Sequence, residues 1–486
     1  MENNITMDSK NTKSKVLSSL MWKLLERSGT QGIQFIVQIV LARILLPNDY
    51  GIIALIAIFI TVANVFVQSG FNTALIQKKD ATEEDFSSVF YLSLFIAIIL
   101  YALIFFASPY IAYFYKTPEL ISVLRVLSIT LIFGAFNSIQ NAIISRRMEF
   151  KKLFASSIGA IILSGITGIV LAYIGLGVWA LVAQQLVNQL SVTVILWFTV
   201  KWRPKLIFSF SKINKLFSYG WKLLLSALID TLYMNLRSLI VGKIYSPSML
   251  GYYNRGDQFP QLIVSNINGS IQSVMLPTLS SEQDNKQKVK ELVRRSIVTS
   301  SFLLFPMMIG LAVVGESLIK IILTDKWLPC VPFMQIFCLS YALWPIHTAN
   351  LQAINALGRS DIFLKLEIIK KLMGIIILII SMFLGVYAIA VGTLISGIIS
   401  TFINAHPNLK LLNYSYTEQI KDIMPSFIIS IIMGIIIYPI KFMNNSVIII
   451  LIIQIIIGIV IYFGLAKLFK LECYEYLLKT VKRMGN

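Results

Sequence analysis

Residues 447–465 read VIIILIIQIIIGIVIYFGL, nineteen positions without a charge. About 20 consecutive apolar residues is the length at which an α-helix crosses the hydrocarbon core of a bilayer. Runs of this kind also occupy 52–76, 87–115 and 153–176, and no alternating strand pattern of the β-barrel type competes with them. Composition agrees: 57% of the chain is apolar and 13% charged, with a mean hydropathy of +0.77, whereas soluble domains carry roughly 25% charged residues. The chain is therefore expected to be an all-α integral membrane protein. Its first fifteen residues, MENNITMDSKNTKSK, are polar, so no cleavable signal peptide is expected before the first span.

Apolar windows between polar breaks give fourteen spans, near 22–46, 52–76, 87–115, 120–144, 153–175, 178–200, 219–245, 257–280, 297–324, 331–356, 363–384, 386–405, 423–442 and 446–468. Cytoplasmic loops are the ones that collect Lys and Arg. With fourteen spans, 32 of the 42 basic residues fall on the side shared by the two termini, seven on the other, and Arg27, Arg125 and Arg237 within spans. Both termini are thus expected in the cytoplasm. The net charge of +19 needs no nucleic acid, because a basic face beside anionic lipid headgroups accounts for it.

The chain also repeats itself. WKLL at Trp22 and ARILLPNDYG after it correspond to WKLL at Trp221 and GKIYSPSMLG. In each, a basic residue (Arg43, Lys243) precedes a proline (Pro47, Pro247) by four, and a glycine (Gly51, Gly251) follows it by four. GVWAL at Gly177 corresponds to GVYAI at Gly385, and Gln140 with Arg147 to Gln352 with Arg359. Offsets of 199–200, 208 and 212 predict two halves of six spans each. An even number of crossings returns the chain to its starting side, so the halves are related by a pseudo-two-fold axis along the membrane normal, with a site expected between them near the midplane. The expected divisions are 1–205, 206–410 and a two-helix appendix with tail at 411–486.

Polar residues mark the expected site. At 100° per residue, Arg27, Gln31, Gln34 and Gln38 fall within about 60° of one another on span one. The repeat sets Asp230, Tyr233 and Arg237 of span seven opposite them. Span eight carries Gln258, Gln261, Ser265, Asn268 and Gln272 within about 80°, and span two carries Asn64 and Gln68 one turn apart. Span six adds Gln184, Gln185, Asn188 and Gln189. Such stripes suit a water-filled cavity for a sugar-like ligand, although any single amide also serves as a hydrogen bond between helices. Charges inside spans are costly and line pathways. Asp230 is nine residues into its helix, ~13 Å deep by the helical rise. Arg27 and Arg125 lie closer to span ends, where snorkelling competes.

Catalysis has no candidate residues, and the chain is not expected to be an enzyme. There is no GxxxxGK[ST] loop. Two histidines, His347 and His406, and three cysteines, Cys330, Cys338 and Cys473, form no metal or redox pattern, so neither cofactor nor metal is expected.

The runs FIVQIVLARILLPNDYG, ALIQKKDATEEDFSSVF, RRMEFKKL, NRGDQFPQ and LQAINALGRSDIFLKLEIIKK are similar to those of the bacterial polysaccharide exporters, the Wzx-type flippases, in the superfamily that includes multidrug/toxin extruders and lipid II flippases. The resemblance covers spans one to twelve. It implies two six-helix bundles around a V-shaped cavity in the bacterial cytoplasmic membrane. Its substrate would be an oligosaccharide unit on undecaprenyl pyrophosphate, turned from inner to outer leaflet for exopolysaccharide, capsule, O-antigen or teichuronic acid synthesis. Amides would meet the sugar hydroxyls, and Arg27, Arg237 and Arg125 the pyrophosphate. Asp230 would hold an arginine or carry a coupling cation, H+ or Na+, between which the residues do not choose. Polymerase or export machinery are the implied partners. A drug/cation antiporter and a non-transporting scaffold of a polysaccharide assembly complex are the alternatives. The antiporter would be expected to rely on cavity carboxylates and aromatics; the scaffold predicts that cavity substitutions are harmless.

Overall fold

The structure, a computed structural model, describes residues 9–68, 71–78 and 80–476. The polar leader up to residue 8, Lys79 of the QKKD run and the terminal basic cluster lie outside the described residues, so the positions of the chain ends are not addressed by it. The elements among the described residues are all helical, without strands. They separate into two compact units, Met1–Gly251 and Tyr252–Asn486.

The first unit contains α1 (Ser9–Ile44), α2 (Pro47–Gln68), α3 (Phe71–Gln77), α4 (Glu83–Tyr115), α5 (Leu120–Leu127), α6 (Thr130–Arg147), α7 (Phe150–Tyr173), α8 (Val178–Thr199), α9 (Phe210–Ile244) and the start of α10 (Pro247–Ser280). The second contains the rest of α10, α11 (Lys286–Ile322), α12 (Val331–Ala342), α13 (Trp344–Ala356), α14 (Ser360–Met382), α15 (Val386–Leu411), α16 (Tyr416–Ile437) and α17 (Val447–Leu468), with 3-10 turns at Asp325–Cys330 and Tyr438–Phe442. Every one of the fourteen expected spans coincides with a helix or a pair of consecutive helices. Among the described residues, eleven segments are long and apolar enough to cross a membrane by length and composition alone. The segments below that threshold are α1, α10 and α14, which carry the amides and charges. The protein is a multi-pass membrane protein.

Helix starts follow local chemistry. The Thr82 hydroxyl accepts from the Asp85 N–H while the Asp85 carboxylate accepts from the Thr82 N–H, and Ser415 and Glu418 do the same before α16; reciprocal pairs of this kind satisfy donors that a helix start leaves open. Gly177 and Gly385 precede α8 and α15 at φ +53° and +119°. That conformation is open to glycine and strained for residues with a Cβ, which explains why GVWAL and GVYAI recur.

Spans four and ten, repeat partners, are both broken: α5 gives way to α6 at Ser128 and Ile129, and α12 to α13 at Leu343. In the first, Ser128 and Thr130 hydroxyls donate to the Arg125 and Leu127 carbonyls, bonds that compete with regular helix. In the second, Pro345 stands in the first turn of α13, where its missing N–H costs nothing.

The repeated Pro-x-x-x-Gly motifs meet each other inside the first unit. A Cβ on Gly51 would land on the Pro247 carbonyl, and a Cβ on Gly251 on the Pro47 carbonyl. The two helix starts therefore cross backbone to backbone, as small residues allow in membranes. The side chain of Lys243 closes the same end, its ammonium donating to the Phe114 carbonyl and lying 3.7 Å from the Phe114 ring centroid.

In the second unit, charged groups tie helix ends together. Arg294 of α11 donates to Asp422 of α16 (2.9 Å) and to Glu472 beyond α17 (2.8 Å), and Lys290 pairs with Glu418 at 3.1 Å. Tyr414 donates to Asp422 at 2.6 Å; burial first, then this carboxylate, pushes its phenol above the ordinary range.

Candidate functional site

The α1 stripe lies open along most of its length. Arg27 and Gln34 are exposed and Gln31 and Gln38 partly so, on a helix whose opposite side packs against α7, with Val37 seated on Gly165. On α9, Asp230 is exposed, Tyr233 and Arg237 partly buried, and the Arg237 guanidinium sits 5.9 Å from the Tyr233 ring centroid. Helix α9 is the least covered membrane-length segment of this unit, only 6% of its span being buried. Two helices of one unit thus present arginine, carboxylate and amide groups where lipid-facing helices would carry only hydrocarbon, since an unsatisfied polar group there costs several kcal/mol.

Other expected residues are engaged by neighbouring helices. Arg125 donates through Nε to Ser108 Oγ (2.9 Å) and the Phe105 carbonyl (3.3 Å), and lies 4.2 Å from the Phe105 ring centroid. Pro109 has no N–H for the carbonyl four residues earlier; that carbonyl is Phe105's, and the Ser108 hydroxyl (2.8 Å) and Arg125 share it. Gln68 donates to Asn64 at 3.4 Å, and both abut Gly134 of α6. On α8, Gln184 packs on Gly168, and Asn188 donates to Ser164 at 3.2 Å, so both join α7 to α8. In the second unit, Gln258 accepts from Arg255 at 2.5 Å, and the Arg255 guanidinium stands 5.2 Å from the Trp327 ring centroid. Gln261 and Gln272 are exposed, whereas Asn268 is buried.

Periodicity alone missed two groups. On α6, Asn137, Gln140 and Asn141 bring buried amide atoms that meet no protein partner, both ends of Gln140 among them; buried amides of that kind are completed by water or a polar ligand. They follow Gly134 on the helix that Asn64 and Gln68 touch. The second unit repeats the pattern: Asn268 and Gln272 stand one turn apart on α10, as Asn64 and Gln68 do on α2, and the amide oxygens of Asn268 and Gln352 also lack partners. The signal was available in the repeat, since Gln140 and Gln352 are one of its anchors. The other group surrounds His347 of α13, bonded to Thr401 and Asn404 of α15.

No group of three or more His, Cys, Asp or Glu side chains is arranged to hold a metal ion among the described residues. The GRSD part of the ALGRSDIFLK run is a local clamp. Gly358 has φ +71°, and Arg359 donates a two-pronged bond to Asp361 at 2.9 and 2.8 Å, holding that carboxyl well below the usual range.

Comparison with known proteins supplies the family. The polysaccharide biosynthesis protein family matches residues 40–332, and the chain belongs to it. The teichuronic acid biosynthesis protein TuaB of Bacillus subtilis is 26% identical over 302 residues, covering 62% of this chain and 62% of TuaB; the match thus spans less than two thirds of that relative. The lipopolysaccharide biosynthesis protein WzxC of Escherichia coli is 22% identical over 435 residues, 87% of this chain and 88% of WzxC. Among solved structures, the lipid II flippase MurJ in an inward closed conformation superposes with a TM-score of 0.75 at 17% identity, over 94% of this chain and all of MurJ. The fold is MurJ-like.

Proposed function

We propose that this member of the polysaccharide biosynthesis family is a flippase that carries an oligosaccharide on undecaprenyl pyrophosphate from the inner to the outer leaflet of the bacterial cytoplasmic membrane. The observation that carries the reading is the open polar face of α1 and α9, with Arg27, Gln31, Gln34, Gln38, Asp230 and Arg237, on membrane-length helices of a MurJ-like fold. The names of its relatives, teichuronic acid biosynthesis for TuaB and lipopolysaccharide biosynthesis for WzxC, agree with a glycan cargo.

The chemistry follows from the groups. Amides donate to and accept from sugar hydroxyls. A guanidinium keeps its charge at any physiological pH and binds phosphate oxygens two at a time. Arg27 and Arg237 are assigned to the pyrophosphate, Asp230 to orienting an arginine, and the prenyl tail stays in lipid. Arg125, already bonded to α4, has a structural part. Both termini are placed in the cytoplasm, and a polymerase that consumes the carried unit outside is the natural partner.

A strain deleted for its own flippase and expressing this chain tests the proposal. Charged hydrogen bonds of this kind are worth about 1.5–3 kcal/mol each, so Arg27→Ala with Arg237→Ala should lower polymer export at least tenfold with normal membrane insertion. Normal export in the double variant would exclude the phosphate assignment, and harmless substitution of the whole stripe would favour the scaffold.

A further inference from the structure

The two-helix appendix meets the repeated body unevenly. Helix α16 packs along α11, whereas α15 packs chiefly on α12, α13 and α14. Between α13, α15 and α16 this leaves a crevice of about 170 Å³, bordered by Leu343 and Ile346, by Phe402 of α15 and by Ile420 of α16. Its polar side chains are Thr401, Gln419 and Tyr416. Thr401 already donates to the Gly397 carbonyl at 3.0 Å, and Gln419 already accepts from Asn350 at 2.9 Å. The crevice therefore offers a guest hydrocarbon contact, and a sugar placed there would leave its hydroxyls poorly paired.

Along α15 the character changes turn by turn. Ile398, Phe402, His406 and Lys410 are spaced by four, so they share one side of the helix, and all four are exposed. The line runs from hydrocarbon to base toward the helix end that the loop charges assign to the cytoplasm. On α16 the order Ile423, Ile420, Tyr416 leads to the same level, where the Tyr416 hydroxyl lies 2.7 Å from His406 Nδ1. The Phe402 and Tyr416 ring centroids are 5.8 Å apart. With the phenol donating to Nδ1, the imidazole keeps its hydrogen on Nε2 as a donor for something outside the chain. Nearby carboxylates are engaged elsewhere, Glu418 by Lys290 and Asp422 by Arg294, so Lys410 and Lys421 leave this rim basic. From Ile398 to His406 the helix rises ~12 Å, close to the ~15 Å of hydrocarbon in one leaflet.

We propose that this crevice binds one anionic glycerophospholipid of the cytoplasmic leaflet, an acyl chain lying between α15 and α16 and the phosphate accepting from His406 Nε2–H and the Lys410 ammonium. Phosphate oxygens form charge-assisted hydrogen bonds with such donors, and basic groups at the cytoplasmic headgroups attract anionic lipid. The lipid fills the seam between the repeated body and its appendix. A depth of one leaflet suits an acyl chain and is short for an undecaprenyl chain. The site uses the topology of the proposed function and is independent of its cargo.

The full-length protein in phosphatidylcholine nanodiscs doped with phosphatidylglycerol that carries a photoactivatable diazirine on an acyl chain tests this. Irradiation should label the peptides around Phe402 and Ile420 several-fold more than those around Ile162 and Leu163 of α7, which are exposed apolar residues and report bulk lipid. His406→Ala with Lys410→Ala should lower that labelling about tenfold, the loss of one charged hydrogen bond, and leave labelling by the corresponding phosphatidylcholine probe unchanged. Ile420→Trp, at a position 40% exposed, should fill the crevice and bring labelling of α15 down to the α7 level. Labelling no higher than at α7, labelling that both variants leave intact, or labelling competed by undecaprenyl phosphate and not by phosphatidylglycerol overturns the proposal. Because the adducts report binding without transport, failure of the parent chain to restore export would count against the flippase reading alone.

Discussion

Three arginines stand in spans, and their surroundings separate them. Arg27 is exposed on α1, Arg237 leans toward Tyr233 on α9, and Arg125 joins the Ser108 hydroxyl on the carbonyl that Pro109 leaves open. Replacing Arg125 with Ala removes a cation–π contact and the Nε bonds to Ser108 Oγ and the Phe105 carbonyl, which keeps only its bond from the Ser108 hydroxyl, a loss of about 2 kcal/mol. Thermal unfolding of purified Arg125→Ala should show a lowered midpoint, and Arg27→Ala should melt like the parent while exporting less polymer. Equal midpoints for the two would remove the distinction. Sequence periodicity could not make it, because a helical wheel assigns a face and says nothing of a carbonyl freed on a different helix.

At the scale of elements, the repeated Pro-x-x-x-Gly motif is a steric device. The Cβ of Gly51→Ala would collide with backbone, which yields less than side chains do; overpacking of this sort costs about 1–3 kcal/mol. Nothing lies within 4 Å of a Cβ at Gly32, so Gly32→Ala should be neutral in stability. Gel-filtration homogeneity and melting of the pair Gly51→Ala and Gly32→Ala provide the comparison, and a well-behaved Gly51→Ala would show that the crossing can open. Breaks in spans four and ten were invisible to hydropathy windows, since both halves of each broken span stay apolar. The Ser128 and Thr130 back-bonds and Pro345 are local enough to read once the break is known.

Across the whole molecule, duplication, hydropathy and charge asymmetry were legible because each depends on residue type and spacing alone. The repeat boundary at 205/206 marks where the sequence begins again. Contacts, by contrast, place α9 with the first helices, since it packs on α2, α3 and α4. Orientation is testable at this scale: alkaline phosphatase fused after Lys116 should be active and a fusion in the 201–209 loop inactive, and the reverse would invert the topology. Charge within loops sets that outcome, as the positive-inside rule requires.

What the sequence determined by itself was the class of protein, the positions of the spans and the polar stripes, because burial in lipid selects residue type over a fixed length of helix. Only the tertiary structure decided which polar groups remain open. Asn188, Gln184 and Arg125 found partners on adjacent helices, Arg27 and Gln34 lie exposed, and a histidine with no motif around it acquired a two-sided nest. Hydrogen bonds are satisfied by whichever donor or acceptor the fold brings within about 3 Å, and that distance is set by packing between segments far apart in the chain.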